Sequence, residues 1–284
     1  MCVSAGPAEF SSTIVYVGRR DHPDHGLIHV LGYQNNAINL ASGPNAMLLH
    51  IPTSELGPGH FISIDRDREV LTRMGQAVSR GRGVSRTAPM DWMGGEVQVF
   101  DHDLYTVVVA DDPLRIPQAL SRVEPRKRPD INAGLLEFYS TVCHDHVMVL
   151  CCFDNADIRE SAPILLWYRP TDPDRLVMPG IDAHTGGPPT LGAQVSRDHV
   201  LVFGTDAAAH DWGTPMAYPR RLRHKIRTFL PDAVAGFSQS SSPEPSRSPV
   251  PHPLTCNGDF TITHADLIEG RLDRVELTIP GGRP

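Results

Sequence analysis

Apolar positions in this chain fall into short runs separated by polar turns, the pattern of strands more than of long helices. The strongest stretch is 147–170, where the apolar runs 147–153 and 164–168 flank a polar decapeptide. Both runs are too short to cross a bilayer and suit strands covered on both faces, so they predict two buried strands and their connection. Residues 13–17, 27–32 and 46–51 are further β-type runs, punctuated by the polar loop 19–26 and by Ser-Gly-Pro-Asn at 42–45. Segments 61–64, 97–100, 105–110, 176–178 and 199–203 add candidates, and 260–263 and 275–279 bring the C-terminal part back to the main sheet.

Helices are fewer. Residues 130–142 place Leu135, Phe138, Tyr139 and Val142 on one face, with Asp130 as the predicted cap. Residues 219–230 set Leu222, Ile226, Phe229 and Leu230 against Arg220, Arg221, Arg223, Lys225 and Arg227, predicting a basic amphipathic helix. Residues 70–79 predict a third helix, ended by a Gly/Arg-rich run. Serine and proline dominate 236–253, a composition that starves it of core-forming side chains and reads as a linker or long loop. The expectation is an α+β, β-rich fold, a layered sheet core with a few packed helices. It divides into a main domain 1–235, the linker 236–253 and a returning segment 254–284.

Composition narrows the function classes. With 40% hydrophobic and 21% charged residues, the 284-residue chain is of ordinary globular type. Its formal net charge of −7 argues against general binding to nucleic acid or an acidic membrane, where phosphate attraction supplies the affinity. The first ten residues have no basic and apolar signal pattern, so a soluble, cytoplasmic protein is expected. Five cysteines, at 2, 143, 151, 152 and 256, do not form a disulfide framework, and Cys151 and Cys152 would point to opposite faces of one strand.

Cys2 is the first chemical candidate. Removal of Met1 would leave a residue carrying both a thiol and an α-amine of pKa about 8, nucleophile and base together. Ser12-Thr-Ile-Val-Tyr-Val-Gly18 then reads as a strand leading to Arg19 and Asp21. This opening resembles the N-terminal-nucleophile hydrolases of the penicillin acylase and bile-salt hydrolase type, although Asp21 follows Arg19 by two positions where that family has three. The resemblance implies Cys2 as nucleophile, Arg19 beside the thiol favouring its thiolate, and Asp21 orienting the amine or the substrate. Asn35, Asn36 and Asn45 are available as further polar groups, Asn35 and Asn45 being taken as substrate-binding.

Other residues could line a site. The Gly/Pro-rich loop 179–189 follows a strand and carries Asp182, His184 and Thr185, candidates for substrate binding or proton transfer. Among 14 histidines, His144 and His146 alternate beside Cys143 and Asp145, and on a strand both imidazoles would face one side. No HExxH or paired CxxC motif supports a metal, so neither metal nor cofactor is expected. The first reading is an N-terminal-cysteine hydrolase of small-molecule or peptide amides, acting through a thiolate and an acyl-enzyme. The alternative is a non-enzymatic β-rich binding or scaffold protein whose Ser/Pro segment or basic helix 219–230 meets a protein partner, with no nucleic acid and no membrane. A His-rich metal-dependent enzyme comes third.

Overall fold

The structure, a computed structural model, describes residues 3–40, 43–64, 68–80, 84–85, 97–154, 163–219, 222, 224–239 and 256–280. In chain order its first strands are β1 (Val3–Ser4), β2 (Ala8–His22), β3 (Gly26–Asn39), β4 (Asn45–Ile51), β5 (Val84–Ser85), β6 (Gln98–His102), β7 (Tyr105–Ala110) and β8 (Val147–Phe153). There follow β9 (Ile164–Tyr168), β10 (Arg175–Met178), β11 (Val200–Thr205), β12 (Thr214–Ala217), β13 (Ala233–Ser238), β14 (Asp259–Thr263) and β15 (Glu276–Thr278). The α-helices are α1 (Val70–Arg80), α2 (Ile116–Leu120), α3 (Ala133–Val142), α4 (His224–Arg227) and α5 (His264–Ile268). Among the described residues no helix is long and apolar enough to cross a membrane.

The strands form a five-stranded sheet, β1-β4-β8-β7-β6, a seven-stranded sheet, β5-β12-β13-β11-β2-β3-β9, and a three-stranded sheet, β10-β14-β15. Side-chain alternation sorts each strand between two layers. On β8, Val149, Cys151 and Phe153 enter one core, while Met148, Leu150 and Cys152 enter another. On β9, Leu166 and Tyr168 share the first core, while Leu165 and Trp167 join a third. The first core therefore lies between the two large sheets. Leu135, Leu136 and Tyr139 of α3 cover the outer face of the five-stranded sheet, and Val70, Leu71 and Met74 of α1 cover the outer face of the seven-stranded one. Covering both faces is why β8 is apolar throughout and β4 and β7 nearly so, and it makes the protein α+β, β-rich and layered as expected.

Several elements differ from the sequence reading. The predicted strand 61–64 is an irregular segment in which Phe61 makes a single bridge to Leu166 and Ile62 N–H donates to the Leu165 carbonyl at 2.8 Å. Its isoleucines are drawn into the outer core, which leaves no extended partner to pair with. Runs 147–153 and 164–168 do form buried strands, but in different sheets that face each other. The polar run 19–22 is part of β2, because antiparallel pairing with β3 continues to His22↔Gly26 whatever the side chains. Of the C-terminal strands, β14 pairs with β10 and β15 with β14 in the third sheet instead of entering a large one, and Phe260 and Ile262 add to the core between the sheets. Within the expected linker, residues 236–238 belong to β13 and Phe237 is buried; 240–253 lie outside the described residues.

The predicted helix 219–230 is reduced to the single turn of α4, with 220, 221 and 223 outside the described residues. Arg227, expected on a solvated face, is buried. Its guanidinium donates to the Leu230 carbonyl and the Asp232 carboxylate and lies 5.0 Å from the Tyr218 ring centre. At α3 the cap is Asn132 and not Asp130: its side chain accepts from Gly134 N–H at 2.8 Å, and the helix starts at Ala133. Asn132→Ala is expected to cost about 1 kcal/mol, read as a lower urea midpoint with an unchanged slope. Asp130→Ala is expected to leave the midpoint within about 0.5 kcal/mol, as for a surface change touching no such feature.

Candidate functional site

The loop after β10 builds the most polar buried region beside the N-terminal strand. Ser4 N–H donates to the Ala183 carbonyl at 3.1 Å and Ala8 N–H to that of His184 at 3.0 Å, so β1 and the start of β2 are stitched to this loop. His184 Nε2 is 3.2 Å from the Asp182 carboxylate. Burial pushes the Asp182 carboxyl up, but neighbouring positive charge, His184 foremost, outweighs it and holds the group well below the usual carboxylate range. Asn257 grips the same backbone twice, accepting from Asp182 N–H and donating to the Asp182 carbonyl, both at 2.8 Å. Arg197 donates to the carbonyls of Cys256 and Gly180 at 2.9 and 3.0 Å. Buried His199 beside it is depressed, first by burial. The Phe10 ring meets His184 edge-on at 5.1 Å.

The structure brings some predicted site residues together and not others. Asn45 joins the loop region: its amide accepts from Gly6 N–H at 2.8 Å and donates to the Gly6 carbonyl and Asn39 Oδ1, both at 3.1 Å. Asn35 donates to the Tyr33 hydroxyl at 3.0 Å, and Thr185 Oγ1 accepts from Gly187 N–H at 3.3 Å. Cys2 lies outside the described residues. Arg19 and Asp21 sit toward the other end of β2, roughly 35 Å along the strand from Ala8. There Arg19 donates to His264 Nδ1 at 2.8 Å and reaches Asp174 at 3.5 Å. His264 Nε2 in turn meets Thr205 Oγ1 at 2.9 Å, so a neutral ring, donor on one side and acceptor on the other, fits the network. Asp21 is exposed, and its N–H donates to Asp206 at 2.7 Å.

A second cluster lies beneath α3. His50 on β4, Cys143 at the C-cap of α3 and His146 before β8 place ligand-type atoms within 4.8 Å of one another. The Nδ1 atoms of the two histidines are 3.0 Å apart. Asp259, at the start of β14, sets Oδ1 3.3 Å from His50 Nε2, close enough to pair but too poorly aligned to count as a hydrogen bond. The expected partnership of His144 with His146 does not form, because 143–146 turn off the end of α3 and are not a strand. His144 is 68% exposed and His146 only 12%. His50 and Asp259 were missed by sequence reasoning. The signal for His50 was an imidazole at a core position inside the apolar run 46–51; for Asp259, set among turn residues, no local pattern marks it.

The third feature is a ribbon. Beyond Ile14, β2 continues to Ala8 and β3 to Asn39 as a two-stranded extension of the seven-stranded sheet, kinked by a bulge where Ser12 takes a positive φ of 55°. Phe10 faces the protein, while Glu9, Ser11, Asn36 and Ile38 lie on the exposed face. Ile38 and Leu40 are 58% and 57% exposed.

No family model matches this chain, and no curated protein matches it. Among solved structures it is similar to a mutated baculovirus P35 after caspase cleavage, with TM-score 0.41 and 15% identity over 71% of this chain and 67% of that one. It is also similar to intact baculovirus P35, with TM-score 0.40 and 11% identity over 96% of this chain and 92% of that one. A complex of caspase-8 with P35 gives TM-score 0.40 and 14% identity over 71% of this chain and 65% of that one.

Proposed function

We propose that this β-rich chain is a non-enzymatic binding protein that presents the outer face of the β2–β3 ribbon to another protein. The observation that carries the reading is the pair Ile38, near the end of β3, and Leu40, just past it, each more than half exposed and two positions apart, with Leu40 N–H donating to the Pro7 carbonyl at 3.1 Å and so continuing the pairing of the ribbon. Large aliphatic side chains held side by side on a sheet surface gain free energy when a partner covers them. Glu9, opposite Ile38 in the hairpin register, supplies a charge that favours a basic group on the partner.

The thiols are consistent with this reading. Burial pushes Cys151 up and Cys152 up to about 12, which quiets both as nucleophiles. Arg19, assigned to thiolate activation by the family resemblance, is engaged with His264 and Asp174, far along β2 from Asp182 and His184.

The test pairs two measurements on the full chain. Affinity capture should recover partners that the Ile38→Glu/Leu40→Glu double variant loses while keeping its circular dichroism spectrum and thermal midpoint. Caspase-8, which one P35 structure contains, is a defined probe for this experiment; the reading itself rests on the ribbon. Equal capture by both proteins overturns the proposed surface, and amide turnover abolished by Cys2→Ala overturns the non-enzymatic reading.

A further inference from the structure

Two histidines facing each other through the same ring nitrogen pose an electrostatic question. His50 Nε2 lies 3.3 Å from the Asp259 carboxylate and His146 Nε2 lies 3.8 Å from that of Asp145. A carboxylate beside Nε2 favours the tautomer that carries its proton there, leaving the lone pair on Nδ1. Both Nδ1 atoms then present lone pairs across 3.0 Å, in surroundings where His50 is fully buried. Such a pair repels unless a proton or a metal cation lies between the nitrogens. The Cys143 sulfur completes a three-atom ring of donors, none more than 4.8 Å from another.

We propose that His50, His146 and Cys143 bind one divalent cation of the zinc class. Two imidazoles and a thiolate are a borderline-soft set suited to Zn²⁺, whose tetrahedral ligands stand roughly 3.3 Å apart for two nitrogens and roughly 3.6 Å for nitrogen and sulfur. Asp259 and Asp145 take the outer positions that orient metal-bound histidines. The site is held by a strand of the sheet and by the C-terminal end of α3, where the helix dipole favours positive charge. Tyr139 packs on His50 with ring centres 5.7 Å apart, and its buried hydroxyl has no hydrogen-bond partner among the described residues. That hydroxyl is available to a water in the fourth place. His50 and Cys143 are buried, and His146, the more exposed of the three, is the edge by which an ion enters. The role this supports is structural, tying α3 to β4 and β8.

The test uses the full chain, stripped with chelator and titrated with Zn²⁺ and, for its spectrum, Co²⁺. Expected are one equivalent per chain, a higher thermal midpoint on Zn²⁺ addition, and visible Co²⁺ bands of tetrahedral type with a thiolate charge-transfer band. Cys143→Ser should remove the charge-transfer band. His146→Gln, at the partly exposed edge where folding is least at risk, should weaken Zn²⁺ binding at least about tenfold. His144→Gln, two residues away and exposed, should leave it unchanged. The 3.0 Å spacing also fits a shared proton. Absence of stoichiometric metal binding would assign the pair to that proton and overturn the proposal, as would binding unaffected by both Cys143→Ser and His146→Gln.

Discussion

Asp259→Ala is expected to lower the stability of the fold by about 3–5 kcal/mol, the range for removing one member of a buried charged or polar pair. Asp259 and His50 are both buried, and the carboxylate also accepts from Gly180 N–H at 2.6 Å. Alanine would leave that buried N–H without an acceptor and His50 without the carboxylate that faces it. Nor can the backbone shift to find another partner. A Cβ added at Gly180 would already collide with the Gly258 carbonyl, so the two segments pass with no spare room. The loss also spans layers, because Asp259 belongs to the three-stranded sheet and His50 to the five-stranded one. Asp259→Asn keeps an oxygen for Gly180 N–H and should cost about 1–3 kcal/mol, the lost charge-assisted part alone. Urea unfolding followed by tryptophan fluorescence separates the two variants. A loss below about 1 kcal/mol for the alanine variant would show that water or a rearranged loop replaces the carboxylate.

The comparison of sequence with structure turns on how local each signal is. Runs 105–110, 147–153 and 164–168 were legible to the residue, since a strand buried on both faces has to be continuously apolar. The helix at α1 and the body of α3 were legible from their periodicity. The reach of β2 and β3 was not. Half of each strand is polar and is extended because the hairpin partner is extended, a fact that only pairing supplies. Cys151 and Cys152 were correctly placed on opposite faces, because alternation along a strand is itself local. For the candidate sites the position is reversed. His50, the turn carrying Cys143 and His146, and Asp259 come from three separated stretches, and only the sheet order β4-β8 and the docking of β14 bring them together. The loop residues Asp182 and His184 were singled out for their polarity, but Asn257, which holds the Asp182 backbone, and Arg197, which holds the Gly180 carbonyl, lie in segments with no motif.

Stability is expected to fall by about 2–3 kcal/mol between pH 7 and pH 4.5 through His29 alone. Its ring is buried on β3, with Nε2 3.3 Å from the Pro173 carbonyl and Nδ1 without a hydrogen-bond partner among the described residues. Burial, reinforced by the Arg19 charge and the neighbouring His264 ring and opposed by the Pro173 carbonyl and Asp172, lowers its pKa from 6.5 to about 4. Because the folded value is depressed, the unfolded chain takes up a proton below pH 6.5 that the folded chain refuses until about pH 4. The stabilisation is therefore complete above the unfolded pKa and drains away as pH falls through that window, at about 1.4 kcal/mol per unit. His60, His102 and His264, also depressed chiefly by burial, act in the same direction. A difference measurement isolates His29: His29→Gln removes its titration, so the variant should lose about 2–3 kcal/mol less than the wild type over the same interval. Urea midpoints at pH 7 and 4.5 provide the four numbers needed. Parallel losses in the two proteins would mean that His29 is protonated inside the fold, with the Pro173 carbonyl and Asp172 holding the charge that burial was taken to exclude.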